Sequence, residues 1–65
     1  MSAFRWVPQD AEGNDLEPTA AFPTQEEAEG WMGREWSRLL AEGAETVVLR
    51  GPGDRFVYRM GLREA

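Results

Sequence analysis

The alternation of apolar and polar positions near the N-terminus predicts a short strand. In "FRWVPQD", Phe4 and Trp6 are two residues apart and therefore share one face of an extended segment. Pro8 fits a strand end or a sheet edge, because its nitrogen has no hydrogen to donate. The "GN" pair that follows favours a tight turn. We therefore expect a hairpin loop leading into a weak second strand around Leu16.

The clearest periodic pattern runs from about Gln25 to Glu42 and predicts an amphipathic helix. Thr24 and Glu27 have the spacing of a capping box, in which each residue bonds the backbone N–H of the other. Gly43 stands where a left-handed residue commonly ends a helix. At about 100° per residue, one broad sector should face the core, and it contains Ala28, Met32, Trp36, Leu39 and Leu40, with Trp31 at its margin.

Two β-branched and aromatic runs, "ETVVLR" and "RFVYRM", are separated by "GPGD" and predict an antiparallel hairpin. By parity, the residues of the second run expected to face the helix are Phe56, Tyr58, Met60 and Leu62, while Arg55, Val57, Arg59 and Arg63 face the other way. The sequence therefore predicts one α+β domain over residues 1–65, of two layers, with one amphipathic helix across a small antiparallel sheet (β-(β)-α-β-β).

The residues between the helical core positions form an unusual second face. Gly30, Gly33, Ser37 and Ala41 line up opposite the apolar sector, beside Trp31. Each glycine within a helix costs about 1 kcal/mol relative to alanine. Two interpretations stay open, a surface for close contact with another chain or compositional drift on a solvated face.

The composition excludes much chemistry. The 65 residues include no cysteine and no histidine, which removes disulfides, thiolate metal sites and the usual nucleophile–histidine pairs. The acidic loop of residues 10–17 does not match the twelve-residue calcium loop. One helix and a small sheet also leave little volume for a substrate pocket. We expect a protein that is not an enzyme and has no catalytic residue, cofactor or metal.

Charge and hydropathy narrow the partners. The net charge of −5 disfavours nucleic acid and anionic membrane surfaces. No apolar run is long enough to cross a membrane, and the N-terminus lacks a signal-peptide pattern, so we expect a cytoplasmic protein. Residues 1–45 hold ten acidic and three basic side chains, net −7, and residues 46–65 hold two acidic and four basic, net +2.

The basic excess lies in the C-terminal hairpin. Its four arginines are Arg50, Arg55, Arg59 and Arg63, and we expect them on or near the outer sheet face. They are candidates for contact with phosphate or an acidic partner. The other interpretation is pairing with local glutamates. Nucleic-acid binding usually requires more net positive charge and exposed aromatic side chains that stack on bases.

The stretch "FPTQEEAEGWMGREWSRLLAEGAETVVLRGPGDRFVYRMGL", with a tryptophan-bearing strand before it, resembles a family of small uncharacterised proteins from actinobacteria. The matching features are the aromatic before Thr24, "EEAE" followed by Trp31, then Trp36, Leu39 and Gly43, and the "VVL" and "VYRMGL" strands. The resemblance covers nearly the whole chain and implies a stand-alone intracellular domain. It implies no activity, ligand or catalytic residue.

Three functional hypotheses follow from the residues. The first is protein–protein contact through the small-residue face and Trp31, with a second copy as a homodimer or with another protein. The second is an acidic inhibitor or nucleic-acid mimic, in which the −7 segment occupies a basic site on another protein. The third and weakest is anion or RNA binding by the C-terminal arginine hairpin.

Overall fold

The computed structural model describes residues 3–64, and the side chain of Glu64 lies outside that description. The elements are β1 (Arg5–Gln9), α1 (Gln25–Ala41), β2 (Thr46–Gly51) and β3 (Arg55–Gly61), with 3-10 turns at Pro52–Asp54 and Leu62–Glu64. The strands form an antiparallel sheet in the order β1-β2-β3, and α1 packs on one of its faces. The predicted two-layer α+β fold is confirmed.

Both predicted ends of the helix are confirmed. The Thr24 hydroxyl accepts a hydrogen bond from the Glu27 N–H at 3.1 Å, which is one half of the predicted capping box. At the other end Gly43 has a φ of 106°. The N–H groups of Gly43 and Ala44 donate to the carbonyls of Leu40 and Leu39 at 3.2 and 3.1 Å. This pair of bonds is the Schellman arrangement, which satisfies the last helical carbonyls.

The core lies between α1 and the sheet and is centred on Trp6, which is fully buried. The Trp6 indole N–H donates to the Ala28 carbonyl at 2.8 Å, so its polar atom is satisfied within the core. Ala28 is itself fully buried, and its small side chain lets the helix approach the sheet. The other buried members of this core are Met32, Leu39, Ala44, Val47, Leu49 and Leu62.

The register of the hairpin contains a bulge that changes the predicted sheet faces. Leu49 lies opposite Tyr58, but the next pair is Arg50 opposite Phe56, so Val57 is an extra residue in β3. One inserted residue exchanges the faces of the residues beyond it. The predictions that Phe56 faces the helix and that Val57 faces outward are therefore wrong. Phe56 is 55% exposed and lies on the outer face, whereas Val57 is half-buried against the core.

The predicted second strand around Leu16 does not form. The chain from residue 15 to residue 22 instead runs beside β1 and makes two isolated bridges, Gln9 with Asp15 and Phe4 with Phe22. Pro18 has no N–H to donate, so it interrupts any regular ladder in this segment. The predicted turn before this segment does form. In it, the Asp10 carboxylate accepts hydrogen bonds from the backbone N–H groups of residues 12 and 14.

Candidate protein-interaction site

The free edge of β3 is the first component of the candidate site. β2 occupies one side of β3, and within residues 3–64 no strand or bridging segment pairs with its other side. The β3 backbone therefore presents N–H and C=O groups along one edge, and such an edge is a template for pairing with another extended chain.

The second component is an apolar groove of about 330 Å³ on the helix side of β3. It lies between α1 and the free strand. Its lining residues are Trp6, Glu29, Met32, Gly33, Trp36, Tyr58 and Met60. Apolar atoms dominate the lining, and Glu29 is the one charged residue in it. Small-molecule sites are usually apolar recesses of about 300–1,000 Å³ with few polar groups, so the expectation that the fold leaves little volume for a pocket is not met.

A hydrogen bond between helix and strand joins the two walls of this groove. The Tyr58 hydroxyl donates to the Glu29 carboxylate at 2.8 Å, and the Gln25 side-chain amide donates to the same oxygen at 3.1 Å. The Tyr58 ring also contacts Trp6 edge-on, with the ring centroids 5.8 Å apart. These contacts hold the two walls of the groove, α1 and β3, in their relative positions.

The Tyr58–Glu29 bond changes the acidity of both groups. Burial, followed by the hydrogen bond to the Glu29 carboxylate, raises the pKa of Tyr58 to about 12. The hydrogen bonds from Gln25 and then Tyr58 lower the pKa of Glu29 below its usual value. Near neutral pH the rim of the groove therefore carries an ionised carboxylate and a neutral phenol.

The structure separates the members of the predicted small-residue face. Gly33 lies on the helix wall of the groove, whereas Trp31 packs toward the β1 side against Phe22, with ring centroids 5.6 Å apart. A Cβ added at Gly33 would meet nothing within 4 Å, and one at Gly30 would meet only the end of Arg34 at 3.7 Å. Ser37 and Ala41 are exposed. Packing within the described chain therefore requires neither glycine.

The four predicted arginines do not form one cluster. Arg59 is exposed on the outer sheet face, opposite Val48. Arg50 lies on the same face, with its guanidinium carbon 5.9 Å from the centroid of the Phe56 ring. Because of the bulge, Arg55 lies opposite Gly51 at the hairpin end, and Arg63 follows β3 and pairs with Glu45 at 3.0 Å.

The sequence pattern predicts the large apolar residues of the groove as core and Gly33 as part of the small-residue face. Trp36 and Met60 are only half-buried, because the sheet ends at β3 and nothing in the described chain covers their outer sides. A broad apolar sector on the helix, facing only three strands, was the available signal. That sector alone does not show which of its residues the sheet leaves uncovered, because this depends on the order of the strands.

Among residues 3–64, no group of three or more possible metal-ligating side chains comes together. No helix in that part of the chain is long and apolar enough to span a bilayer. The Asp10 carboxylate is occupied by its own turn, and bonds led by the one from the Asn14 backbone N–H lower its pKa.

Comparison of the chain with known protein families, curated proteins and solved structures finds no match. The resemblance to small actinobacterial proteins therefore stays a prediction, and the functional proposal rests on the groove and the strand edge.

Proposed function

We propose that this domain acts through protein–protein contact, by accepting an extended segment of another protein along the free edge of β3. The observation that carries the proposal is the position of the apolar groove immediately beside that unpaired edge. In strand addition, main-chain hydrogen bonds supply affinity, and recesses for alternate side chains supply specificity. Here the free edge of β3 offers the main-chain hydrogen bonds, and the groove offers a recess for side chains.

The alternation of β3 fits this mode of binding. Tyr58 and Met60 line the groove, and Arg59 between them lies on the opposite sheet face. Side chains of an added strand alternate in the same way, so every second side chain of the partner enters the groove. Trp36 is the anchor on the helix side, and large aromatic residues are common where binding energy concentrates.

Gly33 contributes to the proposed binding because it has no side chain. With no side chain at this position, the helix wall of the groove is open toward β3, and a Cβ there has no neighbour within 4 Å. Since glycine within a helix costs about 1 kcal/mol relative to alanine, space for a partner explains its presence better than packing does. The small-residue face thus contributes to the proposed site through Gly33.

The test pairs two identical substitutions in one helix. Gly33→Leu fills the groove, and Gly30→Leu is the matched control outside it. The probe is a short synthetic peptide that alternates leucine with serine. Its binding is measured by NMR, from changes in the chemical shifts of the backbone amides and the Trp indole groups. We expect shifts at residues 55–61 and at the Trp36 indole in the wild type and in Gly30→Leu, and none in Gly33→Leu. Shifts confined to other surfaces, or equal shifts in both variants, would overturn the proposal.

The other two hypotheses stay predictions. Salt dependence separates the acidic-mimic alternative from groove binding, because binding through the acidic segment weakens steeply as salt is added. Contact with anions or RNA at the arginine hairpin has support only from the Arg50–Phe56 pair, since Arg63 is already paired with Glu45.

A further inference from the structure

We infer that the segment accepted by β3 alternates apolar with acidic residues, with its acidic side chains beside Arg59. This inference rests on the proposed function and adds the chemical class of the partner. The two faces beside the β3 edge differ in kind, because one is the apolar groove and the other carries Arg59. An added strand meets both faces at once, so its two sets of side chains need different chemistry.

Charge on the outer face selects an acidic side chain there. Of the two arginines in β3, Arg59 lies on the outer face, and the strand contains no acidic residue. Among the described side chains, Arg5, Arg38 and Arg63 lie within ion-pair distance of carboxylates, and Arg59 does not. A carboxylate directly across from Arg59 in an added strand would be about 5 Å away between Cβ atoms, close enough to interact favourably.

Charge on the groove face excludes an acidic side chain from that side. Glu29 stands at the rim of the groove, and its hydrogen bonds favour the ionised form. A second carboxylate in this apolar recess would be repelled and poorly solvated. The acidic positions of the partner are therefore restricted to one face, which sets the register of binding as well as its composition.

The same charges argue against a second copy of this chain as the occupant. Antiparallel pairing of two β3 strands around a two-fold axis would put the Arg59 side chains of both copies on the same outer face. Like charges close together across strands are destabilising. The net charge of −5 repels an acidic partner only at long range. At physiological salt that repulsion is screened beyond about 8 Å, whereas the cross-strand contact is shorter.

The experiment compares three fluorescent peptides that share leucine at alternate positions and carry glutamate, serine or lysine between them. For the wild type we expect the glutamate peptide to bind about two- to five-fold more tightly than the serine peptide, as for one exposed ion pair. The lysine peptide should bind most weakly. Arg59→Glu should reverse this order, and Arg59→Gln should bring the three affinities together.

Arg34→Glu is the matched control, because Arg34 is an exposed helix residue outside the groove and the substitution changes the net charge equally. It should leave the order of the peptides unchanged, and circular dichroism verifies folding of each variant. Equal affinities for all three peptides, with shifts still at the groove, would overturn this inference and leave the proposed function standing. Absence of binding by every peptide would overturn both. A doubled solution mass with protected β3 amides would identify a second copy as the occupant and overturn the inference.

Discussion

The two edges of the three-stranded sheet differ in how their backbone groups are satisfied. Along β1 the flanking segment of residues 15–22 supplies partners, with the Leu16 N–H donating to the Pro8 carbonyl at 2.7 Å and the Thr19 N–H donating to the Trp6 carbonyl at 2.9 Å. The Thr19 hydroxyl also accepts from the Trp6 N–H at 3.0 Å. β3 has no comparable neighbour within residues 3–64.

This difference shows that a sheet edge can be closed without a regular strand. One threonine bonds both backbone groups of Trp6, and Pro8 needs no partner for a missing N–H. At β3 the features are instead a bulge and two arginines, which are devices that discourage indiscriminate strand pairing. These features do not cover the edge, which has no partner strand within residues 3–64.

Opening the closed edge should have the largest effect on stability. Thr19→Val keeps the shape of the side chain but removes the oxygen that accepts from the Trp6 N–H. We expect a loss of about 1–3 kcal/mol in the free energy of unfolding, because a partly buried donor is left without a partner. Denaturant unfolding measures the loss, and faster exchange of the Trp6 amide locates it. Ser37→Ala, at an exposed helical hydroxyl, is the control, and an equal loss there would contradict the prediction.

A substitution in the helix wall beside the open edge should instead increase stability. Gly33→Ala adds a methyl group that meets nothing within 4 Å and removes the entropic cost of glycine in a helix. We expect the free energy of unfolding to rise by about 1 kcal/mol, measured by denaturant unfolding. Gly30→Ala should give a similar gain without narrowing the groove. Loss of stability in Gly33→Ala alone would mean that the helix wall has no spare space.

Titration of Tyr58 leaves the chain unchanged and reports directly on the groove. It is the one tyrosine in the chain, so its phenolate absorbance is unambiguous, and we expect a midpoint at about 12. Because this pKa is raised above the unfolded value of 10.0, its stabilising contribution is complete below pH 10 and is lost as the pH rises through about 12.

Glu29→Gln should lower the Tyr58 midpoint only part of the way toward 10.0, since burial is the larger cause of the shift. An unchanged midpoint would show that the Tyr58–Glu29 bond does not form in solution. Bound peptide should raise the midpoint further by excluding water from the groove, whereas Gly33→Leu should abolish that response to peptide.

Local signals in the sequence were sufficient where neighbouring residues alone decide the structure. Thr24 begins the helix and Gly43 ends it, because a side-chain cap and a left-handed residue act within one turn of the chain. The "GPGD" turn between two β-branched runs was likewise sufficient for the hairpin. The periodic placement of Met32 and Leu39 correctly predicted the buried face of the helix.

The sequence by itself therefore determined the helix, the C-terminal hairpin and the layer order, because these depend on short-range periodicity and capping. Only the tertiary structure decided that Phe56 is exposed and Val57 turned inward, since a bulge depends on how two strands pair and not on either strand alone. It also decided that residues 15–22 close one edge, while the other edge lies beside a groove and has no partner strand within the described residues 3–64. Parity predicts which side chains share a face, but only the packed arrangement of α1 and β3 determines whether that face is covered.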